Sequence, residues 1–207
     1  MIYLSGRIVD DNTIGVMLSY NANHLTYNRF VDYSKGKKYD WAMDNGCFSQ
    51  PNKYSDSGFI NHLTNINDHS ALFAVAPDIL GDNVGTKIRS IPMLRKIREL
   101  GYKAAYVIQD GEKVDSVCWS ELDCIFIGGT TEYKLSQDAE NIVKEAKNKD
   151  KWVHMGRVNT WTRFKNAKYM GCDSADGNCI AFAPDINTKL VLSWLNKLDN
   201  QPFLGLQ

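Results

Sequence analysis

Residues 71–109 have the sequence ALFAVAPDILGDNVGTKIRSIPMLRKIRELGYKAAYVIQ, in which two apolar runs flank a longer amphipathic stretch. The runs Ala71–Pro77 and Ala104–Gln109 do not alternate with polar residues, which predicts strands that are covered on both faces. Between them, Val84–Leu100 repeats apolar residues at helical spacing, and Gly101 ends the predicted helix. A strand, a helix and a strand of these lengths predict a right-handed crossover in a parallel sheet.

The same alternation of short apolar runs and helical patterns continues on both sides of this unit. Further strands are predicted at Ile14–Ser19, Trp41–Asp44, Cys124–Gly128, Trp152–Met155 and Tyr169–Asp173, with Cys179–Phe182 as an eighth strand or a loop. Helices are predicted at Phe59–Ile66, Ser136–Asn148, Asn159–Ala167 and Asn187–Leu198. Such repeated units predict a compact TIM-like (β/α) barrel of seven or eight strands in which some helices are short or missing. An open doubly wound sheet is the alternative.

The composition is typical of a soluble globular protein, and we expect one domain over residues 1–207. Hydrophobic residues make up 43% of the chain and charged residues 23%, and the formal net charge is zero. A chain without net charge lacks the excess of basic residues that binds nucleic acids without sequence preference, although it contains lysine-rich patches. No apolar run approaches the roughly twenty residues of a membrane span, and the first residues do not resemble a signal peptide. We therefore expect a cytoplasmic protein without a membrane partner.

Cysteine usage and motif content argue against a metal or cofactor. The five cysteines include no CxxC pair, and no Cys or His pair follows at the spacing of zinc ligands, which predicts free thiols. The sequence contains no Walker loop, GxGxxG, GxSxG or HExxH motif. We therefore expect neither a bound metal nor an organic cofactor.

Polar residues and glycines recur at the carboxyl ends of the predicted strands. In both candidate folds, ligands bind at this edge of the sheet, so these positions form the candidate site. In chain order they are Asp44, Asn45, Asp78, Gln109, Gly128, Gly129, His154, Met155, Arg157, Asp173 and Asp176.

Each of these residues also has an ordinary structural explanation. Asp44 and Asp78 could cap helices. Asp173 and Asp176 could hold a turn with Gly177. The glycine pair could form a tight turn, and the histidine and methionine could simply pack in the core. The functional interpretation therefore depends on the recurrence of such residues at one edge.

The order of these motifs resembles that of the tRNA-guanine transglycosylase superfamily, whose TIM-barrel enzymes exchange a guanine for a 7-deazaguanine. The resemblance extends from about Ile14 to Asp176 as short motifs, and it is greatest to the small DNA-directed branch of phages and anti-phage defence. Met43–Phe48, MDNGCF, is similar to an Asp-Ser-Gly-Gly-Phe-like motif of the family. Gly171–Asp176, GCDSAD, has the spacing of the family's Gly-x-Asp-x-x-Asp motif.

The resemblance implies a role for each matched residue. Asp176 would be the nucleophile, and Asp44 would be a second active-site carboxylate that handles protons. The residues that would bind the base are Asp78, Gln109, Gly128, Gly129, Met155 and Phe48. The residues that would contact the sugar and phosphate, or support the site, are Asn45, Asp173, His154, Arg157 and Asn159.

One departure from the family bears on the substrate. The three Cys and one His that form the zinc site of the tRNA enzymes are absent after Asp176, so tRNA is not the expected substrate. We expect a DNA glycosylase that cleaves the N-glycosidic bond of a modified, flipped-out base in anti-phage defence. The alternatives are a DNA transglycosylase that inserts a 7-deazaguanine, a non-catalytic reader of modified DNA, and an unrelated barrel lyase that acts on a phosphorylated small molecule.

Overall fold

The strands form a closed parallel barrel in the computed structural model, which describes residues 1–20 and 25–200. Each strand pairs with the next along the chain, and the last pairs with the first, where Leu4 lies opposite Asp176. In this part of the chain the strands are β1 (Ile2–Ser5), β2 (Ile14–Ser19), β3 (Trp41–Asp44), β4 (Ala74–Val75), β5 (Ala104–Ile108), β6 (Cys124–Ile127), β7 (Trp152–Met155) and β8 (Ser174–Gly177). The TIM-like barrel is confirmed, and the open doubly wound sheet is wrong.

Helices follow most strands but not all of them. A loop without a helix joins β1 to β2, and two 3₁₀ turns, Val114–Ser116 and Trp119–Glu121, join β5 to β6. The α-helices of the described ranges are α1 (Leu25–Ser34), α2 (Asp56–Ile66), α3 (Asn83–Glu99), α4 (Thr131–Lys134), α5 (Gln137–Asn148), α6 (Trp161–Met170), α7 (Cys179–Phe182) and α8 (Pro184–Asn200). None of these helices is long and apolar enough to cross a bilayer.

Local side-chain chemistry sets the ends of several helices. The Asp82 carboxylate accepts a hydrogen bond from the backbone N–H of Gly85 and so caps α3. Gly171 ends α6 with a φ of 99°, a left-handed conformation that favours glycine. Asp44 and Asp78 cap none of the helices described above, so the capping explanation for these two residues is wrong.

The last strand lies further along the chain than the apolar pattern predicts. The predicted strand Tyr169–Asp173 is wrong, because α6 continues to Met170. β8 has the sequence SADG, whose one apolar side chain is Ala175. Its hydrogen bonds to β1 and β7 make it a strand, and a polar sequence of four residues does not indicate that pairing. Asp176 therefore lies inside a strand, and Cys179–Phe182 is a helix of one turn.

The apolar pattern also misses β1 and α1. β1 is the four-residue run IYLS at the start of the chain, and its pairing with β2 and β8 makes it a strand. α1 mixes aromatic with polar residues, and Tyr27 and Phe30 pack against Trp41 of β3. β4 has only two residues, so the predicted strand Ala71–Pro77 extends too far at both ends.

Apolar side chains fill the barrel from two sides, because successive residues of a strand point into and out of the lumen. The outward residues form the larger core, between the barrel and the helices. The residues that fill the lumen are Leu4, Met17, Ala42, Phe73, Val75, Ala105, Val107 and Cys124. The lumen is therefore packed at its lower levels, and only its carboxyl end is available to a ligand.

Candidate active site

A cavity of about 450 Å³ opens at the carboxyl ends of the strands. Its volume lies within the range of small-molecule sites. Four of the apolar side chains that line it, Met17, Val75, Val107 and Phe126, belong to four different strands, and Phe48 and Leu80 line it from loops. The polar residues that line it are Asp44, Ser49, Asp78, Gln109, Lys134, Arg157, Asn159, Asp176 and Asn178. Most of the positions predicted from the strand ends thus lie around one cavity.

Asp44 stands at the end of β3 and is held by neutral donors. Its Oδ2 accepts hydrogen bonds from the Ser19 hydroxyl at 3.3 Å and from the Gly46 backbone N–H at 3.2 Å. Burial, followed by the negative charges of Asp176 and Asp78, raises the pKa of Asp44 to about 6. This carboxyl group can therefore both donate and accept a proton near neutral pH.

Asp176 is held by a chain of side chains that runs across β7 and β8. The Trp152 indole N–H can only donate, and it donates to the Ser174 hydroxyl oxygen at 2.8 Å. The Ser174 hydroxyl is then free to donate its own proton to Nδ1 of His154, which lies 2.8 Å away. In that tautomer Nε2 of the buried His154 carries the ring proton and donates a hydrogen bond to Asp176 Oδ1 at 2.9 Å, as a carboxylate oxygen, which can only accept, requires.

This chain of hydrogen bonds fixes the direction in which Asp176 faces. The side chain of Asp176 is 24% exposed and lines the cavity, whereas the His154 ring is buried. One carboxylate oxygen is occupied by the imidazole, so the other is oriented by the same contact. His154 is therefore more than a packed core residue, because it positions the carboxylate.

Asp78 and Gln109 form a second polar pair in the cavity. Gln109 Oε1 accepts a hydrogen bond from the Gly81 N–H, which leaves the amide nitrogen to donate to Asp78 Oδ2 at 2.7 Å. Burial raises the pKa of Asp78, while the Cys47 thiol and the charges of nearby arginines act in the opposite direction. A carboxyl and an amide with fixed orientation suit the hydrogen-bonding edge of a planar heterocycle.

The glycine pair after β6 forms part of the cavity wall. A Cβ atom on Gly128 would lie 2.5 Å from Val107 Cγ1 and 3.0 Å from the Ile108 carbonyl oxygen. Gly129 has a φ of +73°, so the tight-turn explanation is also correct for this residue. Gly156, after β7, would place a Cβ only 2.6 Å from the Phe126 ring. These glycines let the backbone approach the cavity closely.

The positions of two predicted residues require correction. Met155 points out of the barrel into the helix-side core, because its neighbours His154 and Gly156 point inward, and it does not line the main cavity. Asp173 precedes β8 at the opposite end of the barrel, where it pairs with Lys147 at 2.7 Å. Neither residue is therefore placed to contact a ligand in the main cavity.

The remaining predicted residues lie at or next to the cavity. Phe48 is 65% exposed at its mouth. Asn45 is buried beneath it and supports the loop after β3, donating to the Ala76 carbonyl and accepting from the Cys47 N–H. Asn159 lines the cavity and accepts hydrogen bonds from two backbone N–H groups that follow β8. These two amides are structural supports of the site.

Sequence reasoning missed Lys134, a buried residue that lines the cavity. Burial, followed by the positive charge of Arg157, lowers the pKa of Lys134 to about 8. The residue lies in the short helix α4, five residues beyond Gly129, and strand ends alone do not indicate it. Among the other lining residues, Ser49, Leu80 and Asn178 were also not predicted.

Within residues 1–20 and 25–200, no three His, Cys, Asp or Glu side chains are grouped so as to hold a metal ion. No known protein family matches the chain, and no curated protein matches it either. The chemistry must therefore be inferred from the cavity itself. The cavity combines a histidine-bound carboxylate with a second carboxyl group whose pKa is near 6.

Proposed function

We propose that the protein is a DNA glycosylase that cleaves the N-glycosidic bond of a modified base. The observation that carries this proposal is the pair of carboxyl groups, Asp176 and Asp44, in one cavity with different partners. Glycosidic cleavage needs one carboxylate for the developing oxocarbenium ion and a second group for proton transfer. The resemblance to DNA-directed transglycosylases, given above, supports the same division of roles.

The first half of the reaction breaks the bond between C1′ and the base nitrogen. The electron pair of that bond goes to the base, and Asp44 donates its proton to the leaving base. An oxygen of Asp176 forms a bond with C1′, and the Nε2–H of His154 stabilises the other oxygen of the ionised carboxylate before attack. Water then attacks C1′, releases Asp176 and gives its proton to Asp44, which restores the enzyme.

The polar pair and the apolar walls suit a flipped-out base. Asp78 and Gln109 would hydrogen-bond its edge, and the backbone at Gly128 and Gly129 would contact it where no side chain intervenes. Phe48 at the mouth offers an exposed aromatic ring on which a neighbouring base could stack. A substrate that is part of a strand therefore fits the rim better than a small free metabolite does.

A base-exchange transglycosylase is the second candidate, because the same covalent intermediate serves both reactions. If a free base entered the cavity before water, its nitrogen would attack C1′ and displace the Asp176 carboxylate. Anti-phage defence and a DNA partner also belong to the proposal, and they rest on the resemblance. A cytoplasmic location belongs to it as well, and it rests on the first residues and the apolar pattern of the sequence. A non-catalytic reader of modified DNA would need neither an ionised Asp176 nor its imidazole donor.

The decisive test incubates the protein with unmodified DNA and with naturally hypermodified phage DNA. We expect released base, measured by mass spectrometry, and an equal number of abasic sites, measured with an aldehyde-reactive probe. Asp176→Asn should abolish release, whereas Asp185→Asn, the same change at an exposed position of α8, should not. Labelled 7-deazaguanine that enters the DNA would instead identify base exchange. Tight binding without any released base would identify a reader.

A further inference from the structure

A smaller cavity of about 130 Å³ lies beside the main one, on the side of β6 and β7. The two cavities share Lys134, Gly156 and Arg157 in their walls. The smaller cavity is also lined by Arg163 of α6 and by Thr130 and Thr131 at the start of α4. A ligand in the main cavity could thus extend into the smaller one without leaving the protein surface.

Three cationic side chains line this smaller cavity, and in the described ranges none of them forms a salt bridge with a carboxylate. Lys134 and Arg157 donate to the backbone carbonyls of Gly156 and Gly129, respectively. Arg163 donates to the Thr131 hydroxyl at 3.3 Å. Each of the three retains further N–H donors, because an ammonium group has three and a guanidinium group five.

The three positive charges lie close enough to act on one another. After burial, the charge of Arg157 lowers the pKa of Lys134, the charge of Asp176 in the main cavity acts in the opposite direction, and the charge of Arg163 lowers the pKa further. Arg157 also has a φ of 60°, a left-handed conformation that is unfavourable for a residue with a side chain. Residues held in such conformations concentrate at binding and catalytic sites.

We propose that Lys134, Arg157 and Arg163 form a phosphate-binding subsite, which holds the phosphate attached to the sugar whose base occupies the main cavity. Guanidinium groups bind phosphate through paired N–H donors, and lysine adds a point charge. The identity of the neighbouring sugar rests on the proposed function, but the anion site does not. The phosphate is a diester in a nucleic-acid strand or a monoester in a free nucleotide.

The first experiment uses inorganic phosphate as the probe, titrated by calorimetry into the protein in chloride buffer. We expect saturable binding by the wild type and binding weakened about tenfold in Arg163→Gln, since a charge-assisted hydrogen bond is lost. Arg163 is exposed, so this variant should fold normally. Lys144→Gln removes one exposed charge on α5, outside both cavities, and should bind phosphate like the wild type. Equal binding by all three proteins, or none by any, overturns the subsite.

The second experiment distinguishes the two sources of phosphate. A short single-stranded oligonucleotide and a nucleoside 5′-monophosphate are compared over a range of salt concentrations. For the oligonucleotide we expect Arg163→Gln to weaken binding and to reduce the slope of log K against log salt by about 0.7, the value for one phosphate contact on a single strand. Tighter binding of the monophosphate than of the oligonucleotide would assign the subsite to free nucleotides.

Failure of the subsite and failure of the proposed function give different results. If Arg163→Gln and the wild type release base equally and neither binds phosphate, the subsite is wrong and the glycosylase proposal stands. If phosphate binds in an Arg163-dependent way but no base is released from any DNA, the subsite stands and the glycosylase proposal is wrong.

Discussion

Replacing Asp44 by Asn should stabilise the protein at neutral pH while removing its activity. The substitution keeps the shape of the side chain and an oxygen that can accept from Ser19 and Gly46. It removes a negative charge that burial, Asp176 and Asp78 all disfavour. A residue kept for stability alone would show the opposite result, because its loss would destabilise the fold.

The size and the pH dependence of this stabilisation follow from the raised pKa. The pKa of Asp44 moves from 3.8 in a model carboxyl to about 6 in the folded protein, so ionisation above pH 6 costs at most about 3 kcal/mol of folding free energy. Because the folded state binds the proton more tightly, this cost is absent below pH 3.8 and grows as the pH rises to 6. The advantage of Asp44→Asn should therefore be largest at pH 7 to 8 and vanish near pH 4.

Urea denaturation of both proteins at pH 4, 5, 6 and 7 measures the difference. A matched control is Asp68→Asn, where hydrogen bonds from Tyr27 and Ser70 outweigh burial and lower the pKa of the carboxyl group. This control should be destabilised at neutral pH and approach the wild type in acid. If Asp44→Asn is destabilised at pH 7, the reasoning on the charged cavity is refuted.

The rate at which the wild-type protein releases base should also fall above pH 6, because Asp44 must be protonated to act as the acid. A rate that rises above pH 6 would instead assign Asp44 as a base.

Two further substitutions test the supports and the rim of the site. Ser174→Ala should lower kcat about fivefold with little change in KM, because it removes a hydrogen bond of about 1 kcal/mol that fixes the tautomer of His154. The ¹⁵N shifts of the imidazole report the tautomer, and Ser174→Thr should restore it. Phe48→Ala should weaken oligonucleotide binding about tenfold without loss of stability, since base stacking contributes about 1–3 kcal/mol. Tyr33→Ala, which removes a similarly exposed ring on α1 outside the cavity, should leave binding unchanged.

The barrel could be predicted because its strands are apolar on both faces. Trp41–Asp44 and Trp152–Met155 occur in the structure with the predicted bounds, and each is followed by a polar residue or a glycine. A barrel collects such strand ends at one rim, so the topology alone brings Asp44, Asp78 and Gln109 together. Periodicity and fold geometry thus account for most of the cavity.

The parts that could not be predicted depend on contacts between distant segments. SADG becomes a strand only through its partners on β1 and β7, so its sequence does not indicate which residues point inward. The resemblance to the transglycosylases predicts Met155 in the site, but the alternation of side chains along β7 turns it outward. Lys134 enters the cavity from a helix between two strands, and only the folded chain shows it beside Arg157.

The different roles of the two carboxylates follow from what separates them in the barrel. Asp176 and Asp44 lie on β8 and β3, and the strands between them contribute Leu4 and Met17 to the lumen, which are apolar. No cation from those strands lies between the two charges, so the charge of Asp176 acts on Asp44 through a medium that screens weakly. Among the residues that the structure describes, the buried imidazole donates to Asp176, whereas the donors to Asp44 are a neutral hydroxyl and a backbone N–H. A proton on Asp44 therefore reduces the repulsion between the carboxylates of the cavity. The proposed reaction needs Asp44 in this protonated form.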